Sequence, residues 1–163
     1  FTNIIYISLY IFMSYQQWGN ATWFLFHTLS EKLRPEHSNF ASTLFTEFYK
    51  ICDNLPCPDC RDHAIKTLTT AKIHNIKERD DLIHFMWSFH NIVNTRTKKS
   101  FYSKEECLAK YKRANTRLII LHFRDIMNIN HRIEKAMLGT FRRQQAISKF
   151  MNFMEEHHKK FDP

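Results

Sequence analysis

The sequence predicts an all-α protein: a compact four- or five-helix bundle followed by a further helical segment. Three observations carry that expectation. Glycine is confined to Gly19 and Gly139 and proline to Pro35, Pro56, Pro58 and Pro163, too few breakers for a turn-rich β fold. Apolar residues recur at three- and four-residue spacing along most of the chain. Residues that favour helix starts stand where those periodic stretches begin. At 163 residues the chain is one ordinary domain, long enough to bury a real core.

The first helix is expected over about residues 20–34, capped by Asn20 or Thr22 and stopped by Pro35. A second starts at Ser38 or Asn39 and runs to about Asp53, with Phe40, Leu44, Phe48 and Ile51 as its apolar stripe. A third opens at the Cys57–Cys60 segment and continues to about Thr70, because Pro56 and Pro58 are tolerated only at a helix start. Lys77 to Asn94 forms the fourth, with Leu82, Phe85, Phe89 and Val93 apolar. After a loop from Arg96 to Phe101, Ser103 and Glu106 fit a capping box for the fifth. Asn115 to Phe161 reads as two more helical stretches. Leu118, Leu121, Ile126, Ile129 and Ile133 are their packing positions, and Gly139 is either the break between them or an interior glycine.

Three segments follow from this reading: an apolar extension over residues 1–13, a main unit over 14–113 and a basic helical extension over 114–163. The stretch from Phe1 to Phe12 is apolar and too short to span a bilayer alone. It is either non-native or the end of a truncated anchor, set against a packed strand or helix. A membrane partner follows only if it is an anchor.

The net charge of +8 raises nucleic acid as a partner, but it is spread evenly, with no basic run. Residues 14–113 hold 15 Lys/Arg against 11 Asp/Glu and residues 114–163 hold 9 against 5, so each part carries +4. A solvated basic surface explains this, and a phosphate-bearing cofactor needs only a few of the cations. The 15 phenylalanines exceed what is usual, and suit both a core and an aromatic cofactor pocket.

Four cysteines are too few for a disulfide scaffold; one close pair with two singles points to redox chemistry or metal binding. Cys57-Pro58-Asp59-Cys60 can close a small disulfide, hold a metal or pass electrons. At a helix N-terminus the partial positive charge favours a thiolate, which makes the thiol more reactive at neutral pH. Cys52 and Cys107 are expected to be buried, inert thiols, with pairing or a link between subunits left open.

Two polar faces stand out besides the dithiol. Gly19, Trp23 and His27 recur every four residues and share one side of the first helix. His90, Asn91 and Asn94 cluster on one face of the fourth, where two asparagines cost helix stability and so suggest a polar ligand. Lys98 and Lys99 follow in a loop from which a cation can reach a phosphate. The inference from these faces requires that they meet in space.

With these blocks in order, the chain resembles the Erv/ALR family of FAD-linked sulfhydryl oxidases over about residues 17–112. The resemblance rests on Trp18-Gly19-x-x-x-Trp23-x-x-x-His27, on Cys57-x-x-Cys60, on His90-Asn91-x-Val93-Asn94 with Lys99 five residues on, and on the aromatic Tyr111. The form Leu55-Pro56-Cys57-Pro58-x-Cys60-x-x-His63-Ala64 is most similar to members from large cytoplasmic DNA viruses. The chain departs from the family at Asn20, Lys32, Phe85 and Lys98, where a basic residue, a tyrosine, a tryptophan and a glycine are usual.

The resemblance implies a helical bundle around FAD, usually a homodimer. It implies FAD contacts from Gly19, Trp23, His27, His90, Asn91, Asn94, Lys99 and Tyr111, and no metal. It implies that Cys57 exchanges disulfides with a protein dithiol, such as a thioredoxin-like protein, and that Cys60 faces the flavin. Oxygen is then the acceptor and hydrogen peroxide the product. For a viral member the expected place is host cytoplasm or virion, and otherwise the mitochondrial intermembrane space. The rival readings are a structural zinc module using Cys57, Cys60 and His63 with His84 or His90, and a helical partner- or nucleic-acid-binding module.

Overall fold

The computed structural model describes residues 2–129 and 137–163, with side chains over 16–129 and 139–163. Seven α-helices are formed by the described residues: α1 (Thr2–Lys32), α2 (Ala41–Cys52), α3 (Pro58–Ala71), α4 (Arg79–Arg96), α5 (Lys104–Lys112), α6 (Thr116–Met127) and α7 (Met137–His157). The β geometry among them is one isolated antiparallel bridge between Leu33 and Phe161.

The first helix differs from expectation at its start. It begins at Thr2, so Asn20 and Thr22 lie inside it rather than capping it. Thr22 donates its hydroxyl back to the Trp18 carbonyl at 2.7 Å, the usual intrahelical use of a threonine. Pro35 ends the helix as expected and opens a short 3-10 turn over Pro35–Phe40. Arg79, at the start of α4, holds the other end of α1. Its guanidinium donates to the Glu31 carbonyl at 2.8 Å and lies 3.3 Å from the Glu31 carboxylate. An arginine on a helix's last carbonyls satisfies groups the helix itself cannot.

α2 starts at Ala41, later than Ser38 or Asn39, and its expected stripe is buried at Leu44, Phe48 and Ile51, joined by Phe45 and Cys52; Phe40 is half-buried in the preceding 3-10 turn. Phe48 stacks on Phe26 of α1 with ring centroids 4.3 Å apart, at the centre of the core. Ser103 caps α5, accepting from the Glu106 N–H at 3.2 Å, and the Glu106 carboxylate accepts from the Ser103 hydroxyl at 2.9 Å in place of the backbone half of a capping box.

In the last part of the chain one alternative is decided and one expectation is corrected. Gly139 lies within α7, so it is the interior glycine and not the break; α6 ends at Met127. The buried face of α6 is Thr116, Phe123 and Met127; of the expected packing positions Ile126 packs against the core and Leu121 is half-buried, whereas Leu118 and Ile129 are 63% and 42% exposed. Leu118 falls on the solvent side because α6 carries apolar residues on more than one side, and periodicity alone does not say which of them a neighbour covers. Ile133 lies outside the described residues.

The later helices share the core of the earlier ones. Phe123, Met127, Ile147, Phe150, Met154 and Phe161 belong to the same hydrophobic cluster as the buried residues of α1–α4. The segment after α7 is tied to the end of α1: the Asp162 N–H donates to the Lys32 carbonyl at 2.8 Å and the Arg34 N–H to the Lys160 carbonyl at 2.9 Å.

Candidate active site

The site is built where α1 packs against α4, with α3 approaching from the side. Cys57 is the N-cap of α3 in an extended backbone conformation and Pro58 is the first helical residue. Cys57 and Cys60 are joined in a disulfide. The Cys60 N–H points at the Cys57 sulfur from 3.2 Å. On reduction that N–H and the helix N-terminus both favour negative charge on Cys57.

Cys60 lines a narrow pocket whose walls include the rings of Trp18, Trp23, Phe26 and Phe89. Cys52, Leu55, Ala64 and Val93 add to its apolar lining, and Thr22, His63, Arg96 and Thr97 supply polar atoms. Gly19 lies on the same pocket, and a Cβ placed there would meet nothing within 4 Å. A side chain at that position would therefore project into free space that a flat ligand can use.

The two faces singled out in the sequence do meet. Trp23 lies parallel to His90, with centroids 4.1 Å apart and planes 7° from parallel. The His27 and His90 rings are linked by a 2.9 Å contact between Nε2 of the first and Nδ1 of the second. Tyr111 of α5 stacks on the other side of His27 at 4.6 Å. Burial, with His90 and Lys110 as lesser causes, pushes His27 down to about 3. Burial, then Lys99 and Lys110, pushes His90 down to about 4. Both imidazoles are thus neutral at physiological pH, flat and available for stacking.

The remaining predicted residues have distinct placements. Asn91 is buried and its amide is engaged by one loop residue: Nδ2 donates to the Tyr102 carbonyl at 3.0 Å and Oδ1 accepts from the Tyr102 N–H at 2.8 Å. Trp87 adds a third bond, its indole N–H donating to the same carbonyl at 2.8 Å. Asn94 is buried, and its carbonyl accepts from the Lys99 N–H at 2.8 Å. Lys99 itself is exposed, in the loop that Asn91 anchors, and its charge is felt at His90.

Sequence reasoning passed over three residues that belong to this constellation. Trp18 was read as part of a motif and not as a pocket wall. Tyr102 is reached only through a loop, and nothing in its local sequence signals that. Cys107 stands four residues before Tyr111 on α5, a spacing that puts both on one face, and its sulfur lies 3.4 Å from His27 Nδ1. Cys107 and Cys52 are both free and buried, and burial raises both thiols. Among the described residues no three His, Cys, Asp or Glu side chains converge as a metal ion needs.

These features agree with comparisons to known proteins. The Erv1 / Alr family model matches residues 20–113, more than half of the chain. A relative in Invertebrate iridescent virus 3, named as an FAD-linked sulfhydryl oxidase, is 31% identical over 97 residues, which are 58% of this chain and 66% of that one. Sulfhydryl oxidase 1 of Arabidopsis thaliana is 38% identical over 77 residues, 47% of this chain but 14% of the plant protein. A Fowlpox virus (strain NVSL) protein, also named as an FAD-linked sulfhydryl oxidase, is 24% identical over 59% of this chain and 90% of its own. The chain thus spans less than two thirds of the first two relatives. No solved structure matches it significantly. No helix among the described residues is long and apolar enough to cross a membrane. The family match takes in the dithiol helix, the Trp23–His27 face and the His90–Asn94 face together, and the chain belongs to the Erv1/Alr family.

Proposed function

We propose that the protein is an FAD-dependent thiol oxidase that makes disulfides in a protein substrate and delivers the electrons to oxygen. The observation that carries this is the Cys57–Cys60 disulfide at the start of α3, with Cys60 on the wall of an aromatic pocket and Cys57 outside it. A structural disulfide has no need of such a pocket, and a metal site has no use for joined sulfurs.

The chain's own residues divide the work. A substrate thiolate attacks the Cys57 sulfur; the Cys57–Cys60 bond breaks and Cys60 leaves as a thiolate into the pocket. A second substrate thiolate then attacks the substrate sulfur of the mixed disulfide. The substrate leaves oxidised, and Cys57 leaves as a thiolate stabilised by the Cys60 N–H and the start of α3. The protein now holds two electrons as a dithiol. Bound FAD would supply the acceptor for that pair and its transfer to oxygen as hydrogen peroxide. Trp18, Trp23 and Phe89 present flat apolar surface to the ring systems, and Gly19 leaves the room. His90 and Tyr111, reached through Trp23 and His27, extend the stack, while Arg96 on the pocket wall and Lys99, whose charge acts on His90, are cations available to phosphates.

The unit over residues 14–113 carries this chemistry, and residues 114–163 complete its core. A homodimer, a thioredoxin-like dithiol substrate and a place in host cytoplasm or virion belong to the same reading, supported by the family and its viral members. The purified protein should be yellow, absorb in the blue and consume oxygen when given a dithiol. Cys60→Ser should abolish reduction of the flavin by dithiol. A colourless, folded protein carrying stoichiometric zinc would overturn the proposal in favour of a zinc module.

A further inference from the structure

Cys107 takes no part in the dithiol chemistry, yet its thiol ends a continuous line of polar atoms in the interior. Cys107 Sγ lies 3.4 Å from His27 Nδ1, and His27 Nε2 lies 2.9 Å from His90 Nδ1. Cys107 is 3% exposed and His27 4%, so no solvent substitutes for these contacts. Burial lifts the Cys107 thiol to about 11, which keeps its proton in place at neutral pH.

Two arrangements of the protons satisfy the short His27–His90 contact. In one, the thiol donates to His27 Nδ1, His27 donates from Nε2 to His90 Nδ1, and His90 carries its proton on Nε2. In the other, every donor is reversed, and His27 Nδ1–H faces sulfur, a weak acceptor, while the buried thiol proton has no acceptor in the line. The first uses each buried proton once. A neutral imidazole that accepts on one nitrogen must donate from the other.

We propose that Cys107 is a positioning residue for the cofactor site, fixing His27 and His90 as Nε2–H tautomers so that His90 offers a bound ligand a hydrogen-bond donor. This rests on the flavin reading for the identity of the ligand. The matching chemistry is an acceptor atom at the edge of a stacked ring, such as a purine nitrogen, beside the Trp23–His90 pair. An Nδ1–H His90 would present no such donor, because its Nε2 would then be an acceptor.

The test is imidazole nitrogen NMR on the full chain together with FAD titration by fluorescence. In the wild type both rings should show a protonated Nε2 and an unprotonated Nδ1. Cys107→Ala, which removes the donor, should mix the His27 tautomers and weaken FAD roughly fivefold, the effect of one modest hydrogen bond. Cys107→Ser, which keeps a donor, should hold the tautomers and bind FAD within about twofold of wild type. His90 carrying its proton on Nδ1 would overturn the proposal. So would Cys107→Ala with unchanged tautomers and unchanged affinity. If Cys107→Ala does not fold, the wild-type spectrum and the serine variant decide. A protein that binds no FAD would defeat the flavin reading, and the tautomers would still report on this one.

Discussion

The indole of Trp23 covers the imidazole of His90 at 4.1 Å, and this contact joins the dithiol pocket to the histidine cluster. Trp23 also meets Phe89 edge-on at 5.1 Å and Phe26 at 6.3 Å, so its plane is fixed from three sides. Trp23→Ala is expected to weaken FAD by tenfold or more and to destabilise the fold by about 3 kcal/mol, the low end for removing a large aromatic from a half-buried site. Trp23→Phe keeps a stacked ring and should lose far less affinity. Equal losses in the two variants, measured by fluorescence titration, would show that stacking is not what Trp23 contributes.

The neutral histidine pair makes stability depend on pH with a definite sign. Unfolded histidine titrates near 6.5. In the folded protein His90 is held down at about 4 and His27 at about 3. Between those values the unfolded chain binds more protons, so the contribution is fully present above about pH 6.5 and is lost as pH falls toward 4. Glu31, which burial raises, works in the opposite sense and offsets part of the loss. His90→Phe preserves the stack and removes one titrating group. Its melting temperature should fall less steeply than that of the wild type as pH drops through this window, and parallel curves would rule the explanation out.

Most of the bundle and both polar faces were legible in the sequence because they are local patterns. The α2 stripe, the proline-led start of α3 and the Ser103 cap each depend on residues within one turn of each other. The meeting of Trp23 with His90 depends on 66 residues of intervening chain, and helical spacing says only that each is ready to meet something. Asn91 shows the limit from the other side. Its place in the motif is plain, but its amide is directed at the Tyr102 backbone, a contact set by how the 97–103 loop returns. Leu118 of α6 is exposed for the same reason: it is as apolar as Phe123, and only the position of α1 decides between them.

Asn91 therefore acts on the loop that carries Lys99. Asn91→Leu keeps the volume and removes both bonds to Tyr102, leaving its buried N–H without that acceptor. The expected cost is roughly 1–3 kcal/mol. Hydrogen exchange at the Tyr102 amide should speed up while the core amides of α2 hold their rates relative to global stability. Unchanged exchange at Tyr102 would mean the loop is held by Trp87 alone.

The later helices should matter to folding rather than to chemistry. Phe150 of α7 is 1% exposed and meets Phe123 of α6 edge-on at 5.9 Å. Phe150→Ala is expected to cost about 3–5 kcal/mol in denaturant unfolding. Phe141, in the same helix but 57% exposed, should tolerate alanine within about 0.5 kcal/mol. Flavin content per folded molecule should be the same in both. Loss of flavin from folded Phe150→Ala would place α7 in the site itself.

Lys98 occupies a position that glycine would fill at lower cost. The end of α4 closes with the Lys99 N–H on the Asn94 carbonyl at 2.8 Å and the Lys98 N–H on the Thr95 carbonyl at 3.2 Å. That pair of bonds is a Schellman motif, which needs a left-handed residue between the helix and the outgoing chain. Lys98 supplies it with φ at 57° and carries a Cβ that crowds its own carbonyl. Lys98→Gly should relieve that crowding and stabilise the protein by about 0.5–1 kcal/mol, less whatever freedom the unfolded chain gains. Lys98→Val, branched at Cβ, should lose at least as much. Because the motif fixes where the chain leaves α4, Lys99 should keep its place in the glycine variant, and FAD affinity should not change. A glycine variant that melts no higher than wild type would show that the left-handed turn is not the limiting strain at this end of α4.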